Sequence, residues 1–371
     1  MRKIGKEVLL LGTFNLNPRN GEGAFVRLRD GSILYAFTEY CSESWDDHAQ
    51  ARISCVKSYD EGETWSEREI LLTKGANDLN IMSVSFVRMQ NGNIGILYLV
   101  KSKKNGKLLC MPYFRYSADE CRSWSQPVSC IPKDGYYVVN NDRIVSLVGG
   151  RIMFPAARHG ETGETLKAGI AQFYYSDDYG NTWQKTEEDV YSPYQDSVGL
   201  QEPGIYEYED GRLWAWFRTG YGYQYQSFSD DGGNKWTSPV PNFHFSSPDS
   251  PMQVKKLSDF SVAVFNPIAM SCVNAAGEIW KSAKRTPYVL CVSKNDGKTF
   301  DSTGITLANG KTLPFNESCF YIEDDFENSY CYPAVIETKD GFLIAYYHSN
   351  GTNICLNAGK ITKVLREEIG I

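Results

Sequence analysis

One eight-residue phrase recurs five times along the chain: Ser58-Tyr-Asp60-Glu-Gly62-Glu-Thr-Trp65, Ser117-Ala-Asp119-Glu-Cys121-Arg-Ser-Trp124, Ser176-Asp-Asp178-Tyr-Gly180-Asn-Thr-Trp183, Ser229-Asp-Asp231-Gly-Gly233-Asn-Lys-Trp236 and Ser293-Lys-Asn295-Asp-Gly297-Lys-Thr-Phe300. Successive copies begin 59, 59, 53 and 64 residues apart. A repeat of that length, each copy preceded by a strand-like run, marks one supersecondary unit used repeatedly rather than several unrelated domains. The phrase has a mechanical reading. The Asp carboxylate accepts backbone N–H groups of its own turn, the glycine supplies φ > 0, and the Trp or Phe buries its ring as a plug. These aspartates therefore read as parts of a clasp.

A second phrase, a turn followed by a β-branched and aromatic strand, recurs in a different phase. Its six copies start at Asp30-Gly31, Asn91-Gly92, Gly149-Gly150, Asp210-Gly211, Asp259-Phe260 and Asp340-Gly341. Six hairpins in 371 residues leave about 62 residues per unit, which suits a four-stranded antiparallel sheet. The expected fold is all-β: a six-bladed β-propeller filling residues 1–371 as one domain, with a short amphipathic helix only in the tail, Ile361–Glu368. Such a ring gathers loops from several blades at one end of its axis, so functional residues are expected singly along the chain rather than as one local motif.

Composition narrows the partners. Lys and Arg total 38 against 45 Asp and Glu, a net charge of −7, and no Lys/Arg run stands out. That excludes the electrostatic footprint of a general nucleic-acid binder. The start, Met1-Arg-Lys-Ile-Gly-Lys-Glu-Val-Leu-Leu-Leu-Gly12, has an apolar run too short for an export signal, and no span long enough for a membrane helix follows. Of ten cysteines, Cys55, Cys110, Cys272, Cys291 and Cys355 fall in apolar strand-like runs, where thiols act as small buried hydrophobes, and no CxxC pair occurs. A reduced, cytoplasmic setting fits, and a secreted chain trimmed of its leader reads the same way.

The clasps resemble the Asp-boxes of the sialidase (neuraminidase) superfamily, and five of them on six hairpins extend that resemblance over nearly the whole chain. Fold alone does not fix function. A sialidase needs cations for the substrate carboxylate, a nucleophile and an acid. Because that carboxylate sits on the anomeric carbon, an anionic nucleophile would be repelled, and a tyrosine with a base takes its place. Leu200-Gln-Glu202-Pro through Arg218 resembles the stretch that carries the base glutamate and a clamping arginine, here 16 residues apart as two neighbouring strands allow. Tyr330-Cys-Tyr332-Pro333 resembles the nucleophile strand, and counting nine residues back from Gly341 selects Tyr332. Tyr330 lies on the same face by strand alternation. Arg285-Thr-Pro-Tyr, ahead of the fifth clasp, resembles the segment of another clamping arginine.

The first unit departs from the family, whose Tyr-Arg-Ile-Pro strand gives the first arginine. Here Pro18-Arg19-Asn-Gly-Glu22 stands instead, which leaves Arg19 as a substitute and Glu22 as a pocket-lining candidate. Trp45-Asp46-Asp47-His48-Ala resembles the loop of the acid/base aspartate. Either Asp46 or Asp47 fits the role, its pKa expected to be raised by the adjacent carboxylate and by Trp45. Asn140-Asn141-Asp142-Arg143 and Ala157-Arg158-His159 fall at loop–strand junctions, so Arg143 or Arg158 is available to replace the missing arginine, or alternatively to pair with Asp142. Tyr223, with Tyr221 and Tyr225, suggests an aromatic platform for sugar faces. The resemblance implies a retaining exo-glycosidase on a sialoside or other acidic glycan, needing neither metal nor cofactor. Its rivals are a hydrolase or lyase for a different acidic sugar and a non-catalytic carbohydrate-binding propeller. The long interval between Arg285 and Tyr332, with Glu317, Glu323, Asp324, Asp325 and Glu327, is expected to form a lid or contact surface.

Overall fold

A computed structural model of the chain describes residues 2–161, 168–194, 198–267, 271–273, 279–281, 285–300, 319–325, 327–349 and 356–371. Antiparallel strands sort into six four-stranded groups among these residues, with a separate two-stranded pair, Ser271–Val273 and Ile279–Lys281. Sheet one is Asn20–Arg27, Ile33–Tyr40, Ala51–Ser58 and Glu69–Leu72. Sheet two is Asp78–Arg88, Ile94–Lys104, Lys107–Ser117 and Val128–Ser129, and sheet three is Gly135–Val138, Ile152–Glu161, Ile170–Ser176 and Gln184–Lys185. A single parallel pairing, Tyr136 with Cys110, fuses these two into one nine-stranded array that also holds Val145–Ser146. Sheet four is Gln201–Glu207, Leu213–Arg218, Tyr223–Ser229 and Val240–Ser246; sheet five is Gln253–Lys256, Ser261–Phe265, Tyr288–Ser293 and Cys319–Glu323. Sheet six, Tyr330–Glu337, Gly341–His348 and Ala358–Leu365, takes its fourth strand, Lys6–Leu11, from the other end of the chain.

The first strands of sheets one and two, four and five, five and six, and six and one touch one another, while sheet three meets sheet four through Ile152–Glu161 against Gln201–Glu207. The expected tail helix is not formed. Residues 358–365 are the strand between Gly341–His348 and Lys6–Leu11, and only a 3₁₀ turn, Arg366–Ile369, follows. A short apolar run cannot separate helix from strand by its own pattern, and partners on both sides decide for strand. No helix among the described residues is long and apolar enough to cross a membrane. Cys55, Cys110 and Cys291 are buried as expected. Cys355, Glu317 and the rest of the segment 301–318 lie outside the described residues, as does the side chain of Cys272.

The clasp geometry is the same each time. In the first copy the Ser58 hydroxyl donates to Asp60 Oδ1 (2.9 Å) and receives the Gly62 N–H (2.8 Å), while Asp60 Oδ1 receives the Thr64 N–H (2.8 Å). Position five is left-handed in all five copies, with φ of 88° at Gly62, 68° at Cys121, 87° at Gly180, 91° at Gly233 and 69° at Gly297. Those glycines are also where one sheet abuts the one before it. A Cβ would lie 2.0 Å from Phe114 at Gly180 and 3.0 Å from Met153 at Gly233; at Gly62 it would lie 2.6 Å from Leu343, which closes sheet one onto sheet six. The rings pack beside them, Trp236 on Phe173 at 4.1 Å and Trp183 on Phe114 at 5.3 Å.

A second regularity positions the site. Counting nine residues back from the turn glycines Gly31, Gly92, Gly211 and Gly341 gives Glu22, Ser83, Glu202 and Tyr332. All four have left-handed backbone, with φ of 53°, 58°, 44° and 59°. Each sits at an irregularity of the inner strand's register: between Gly21 and Ala24, Met82 and Ser85, Gln201 and Gly204, and Cys331 and Ala334. A bulge bends the strand and re-aims one side chain. In sheet three the left-handed residue is Asp142 (φ 54°), one position off that count.

The clasp aspartates carry a testable consequence. Hydrogen bonds from Ser123 and Ser117 hold the Asp119 carboxyl down at about 2, and those of Asp60, Asp178 and Asp231 are lowered by the corresponding bonds. A depressed folded-state pKa adds stability above the ordinary value near 3.9, and that stability is lost as pH falls through the folded value. The urea midpoint is expected to fall between about pH 4 and pH 2, and Asp119→Asn to flatten that part of the profile. At neutral pH Asp231→Ala should cost about 1 kcal/mol, read from the same denaturation curves.

Candidate active site

Two of the bulged residues meet. Tyr332 Oη donates to Glu202 Oε1 at 2.9 Å, and Arg218 Nη1 donates to Glu202 Oε2 at 2.8 Å. Glu202 starts one strand and Arg218 ends its neighbour, with Gln201 paired to Arg218 across the ladder. Pro203 and Pro333 follow the two bulged residues; having no N–H to pair, they are tolerated where the ladder is broken. Gly204 is required beside them, since a Cβ there would lie 2.0 Å from the Trp216 ring. Asn141, fully buried, ties the strands by donating to the carbonyls of Gly23 (2.7 Å) and Tyr332 (3.3 Å).

Arg285 approaches from sheet five. Its guanidinium carbon lies 5.7 Å from the Tyr332 ring centroid, Nη1 donates to Cys331 Sγ (3.0 Å) and Nη2 to the Asp249 carbonyl (3.1 Å). Asp249 also receives Arg218 Nε on its carboxylate at 2.6 Å, so one residue links both arginines. Burial pushes the Tyr332 phenol well above its ordinary value, and neighbouring Glu202 adds to this against the pull of Arg218 and Arg285. The phenol is therefore protonated at rest, and becomes nucleophilic only when a base takes its proton.

Of these groups Tyr332, Glu202 and Arg218, but not Arg285, open onto a pocket of about 330 Å³. Tyr332, Glu202 and Arg218 line it from sheets six and four, and Glu22, Asp47, Ser83 and Lys101 from sheets one and two. Tyr136, Asn140 and His159 complete it from sheet three. Behind Glu22 and Asp47 stands Arg19. Its Nη2 donates to Glu22 Oε1 (3.2 Å), its Nη1 contacts Asp47 Oδ1, and its Nε donates to Tyr347 Oη (2.9 Å), with the Tyr40 and Tyr347 rings on its faces. Ser83 Oγ donates to Glu22 Oε2, and Lys101 Nζ to the Asp47 carbonyl at 2.9 Å.

The two aspartates of the Trp45–His48 loop are separated by this arrangement. Both are exposed, but Asp47 lines the pocket and meets Arg19, whereas Asp46 stays within its loop and accepts the His48 N–H at 2.8 Å. The pKa expected for the acid is overturned at Asp47. Burial does push it up, but Arg19 and Lys101 outweigh that and hold the carboxyl below the ordinary aspartate range. Trp45 cannot desolvate the pair, being 59% exposed. Burial instead raises the Glu22 carboxyl, with Asp47 adding and Arg19 opposing.

Other candidates are not brought to the pocket. Arg143 is buried, donates to Gln253 Oε1 (2.5 Å) and the Met252 carbonyl (2.6 Å), and lies over Trp216, so it does not replace a rim arginine. Nor does it pair with Asp142, which instead holds Lys255 (2.8 Å) and Gln253 (2.8 Å). Arg158 lies 3.8 Å from Asp189. Tyr223 sets its ring edge-on against Phe243, away from the pocket lining. Tyr330 does not share a face with Tyr332: the bulge between them breaks the alternation, and it is buried among Tyr288, Tyr346 and His348. Glu323 and Asp324 of the expected lid pair with Lys3. Ser83, Lys101 and Tyr136 were missed by sequence reasoning. The nine-residue count finds Ser83; nothing local marks Lys101 or Tyr136. No group of three or more His, Cys, Asp or Glu among the described residues is placed to hold a metal ion.

Comparison with known proteins agrees with this architecture. The BNR repeat-like domain family matches residues 34–345. The NanB sialidase of Streptococcus pneumoniae superposes with a TM-score of 0.72 at 12% identity, covering 99% of this chain and 71% of that one. The intramolecular trans-sialidase of Ruminococcus gnavus gives 0.70 at 14% identity, covering 99% and 98%. A protein of unknown function from Dyadobacter fermentans gives 0.69 at 17%, covering 97% and 99%. No curated protein sequence matches. Likeness at such identities establishes the fold, a β-propeller of four-stranded antiparallel sheets. With its clasps and a match over residues 34–345, the chain belongs to the BNR repeat-like domain family, within the sialidase-like Asp-box superfamily.

Proposed function

We propose that the protein is a retaining glycoside hydrolase of the sialidase type, which releases a terminal acidic sugar, sialic acid or a relative, from a glycoconjugate. The observation that carries this reading is the hydrogen bond of 2.9 Å between the Tyr332 phenol and Glu202, with Arg218 on the second carboxylate oxygen. A neutral phenol approaches an anomeric carbon that bears a carboxylate without the repulsion an Asp or Glu nucleophile would meet. As the bond forms, the phenolic proton passes to Glu202, which is already within transfer distance. Arg218 and Arg285 supply the cationic side of the site for the sugar's carboxylate. A carboxyl from the wall of Glu22 and Asp47 protonates the leaving oxygen, and water then releases the sugar from Tyr332.

A second reading, cleavage of a different acidic sugar by hydrolysis or elimination, is favoured by one observation. The first sheet's register position carries Glu22 rather than a cation, and Arg19 stands behind it, paired. Among the described lining residues full positive charge comes only from Arg218 and Lys101.

A fluorogenic α-sialoside and a panel of other nonulosonic and uronic glycosides decide between these. Hydrolysis is expected, with the α-anomer released first by NMR. Tyr332→Phe and Glu202→Gln should each lower kcat/KM by about 10²–10⁴-fold while leaving the fold intact by circular dichroism. Inertness on sialosides with turnover of another acidic glycoside selects the second reading. Binding without turnover of any glycoside leaves a carbohydrate-binding propeller. Arg218→Lys is expected to raise KM for the acidic glycoside about 10-fold or more, because an ammonium cannot hold Glu202, Asp249 and substrate in one planar fork.

A further inference from the structure

The wall from sheets one and two repeats the backbone device that presents Glu202 and Tyr332. Glu22 and Ser83 stand at the same register and in the same left-handed conformation, and both line the pocket. A residue with a Cβ held there costs about 1–3 kcal/mol. The neighbouring backbone is tightly fixed: a Cβ at Gly21 would lie 2.2 Å from the Tyr347 ring, and one at Gly23 would lie 2.3 Å from the Ala36 carbonyl.

The charged groups about Glu22 are Arg19, Asp47 and Lys101, and the phenols of Tyr40, Tyr136 and Tyr347 close round it. Two carboxyl groups share one guanidinium there, with Arg19 Nη2 on Glu22 and Nη1 on Asp47. The Lys101 ammonium is engaged by the Asp47 backbone carbonyl. The Asp47 side chain keeps 58% of its exposure and has Arg19 and Lys101 to favour its charge, whereas the Glu22 side chain keeps only 6%. Of two carboxyls so placed, the buried one keeps the proton.

We propose that Glu22 is the acid that protonates the leaving oxygen, with Ser83 and Arg19 as positioning residues and Asp47 as a fixed anion. The assignment rests on the hydrolase reading. The Glu22 O–H proton moves to the glycosidic oxygen as its bond to the anomeric carbon breaks, and the electron pair departs with the aglycone as an alcohol. Tyr332 Oη, its own proton passed to Glu202, forms the new bond to that carbon. In the second half Glu22, now a carboxylate, takes a proton from water. The water oxygen bonds the anomeric carbon, and Tyr332 leaves to recover its proton from Glu202. The opposed displacements of Glu22 upward and Asp47 downward agree with this division of roles.

Leaving-group dependence tests it. On the acidic glycoside selected above, offered as its methylumbelliferyl and its disaccharide form, Glu22→Gln is expected to lose about 10²–10⁴-fold in kcat/KM on the disaccharide. On the activated aryl glycoside, whose leaving group needs little protonation, the loss should be about 10-fold or less. Asp47→Asn should lower both rates by one common factor. An equal loss on both substrates in Glu22→Gln, or a leaving-group-dependent loss in Asp47→Asn instead, overturns the assignment. If Glu22→Gln does not fold, Ser83→Ala serves. Removing a hydrogen bond that favours the Glu22 carboxylate should move the basic limb of the kcat/KM profile to higher pH, and an unmoved limb overturns the assignment. A wild-type protein inert on every glycoside ends the hydrolase reading and this one with it; turnover with either contrary result above ends this one alone.

Discussion

A residue held in left-handed backbone at one register of the inner strands is the constraint on which the rest of the molecule depends. Glu22, Ser83, Glu202 and Tyr332 all occupy it, with Asp142 one position off, and regular extended strands would send these side chains to other places. Each such residue is strained, and it persists because the surroundings leave the chain no alternative. Trp216 against Gly204, Tyr347 against Gly21 and Asn141 between Gly23 and Tyr332 are those surroundings. Burial that favours folding is thus also what aims the functional groups.

The same packing sorts the charges. Sheets four to six bring Arg218 and Arg285 to a phenol and a glutamate, and sheets one and two bring Glu22 and Asp47 to a single arginine behind them. Neither arrangement consists of surface ion pairs, whose worth is small. Arg19 and Arg218 are largely buried, so removing either would strand a carboxylate rather than merely loosen a contact.

Much of this was legible in the sequence wherever the physics is local. A clasp is built from bonds between residues two and four apart, so its eight letters carry it whole. Glu202 and Arg218 lie on adjacent strands, where spacing reports proximity. Legibility failed where partners come from elsewhere in the ring. Arg143 sits among polar neighbours in the chain and reads as a rim residue, yet Trp216, Met252 and Gln253, all from other sheets, make it interior. Asp46 and Asp47 are adjacent in sequence and equivalent in pattern; Arg19 and Lys101, both from outside the loop, tell them apart. The strand at residues 358–365 is decided by Lys6–Leu11, some 350 positions away, and no periodicity announces such a partner.

That last pairing has a consequence for how the molecule comes into being. A ribosome makes Lys6–Leu11 before its partner Ala358–Leu365, so the nascent protein carries an unmatched edge, and sheet one waits for Leu343, while the sheets between are made. Five sheets can assemble in order as they emerge, but the circle, and with it the meeting of Arg19 with Tyr347, is completed only once the sixth has been made.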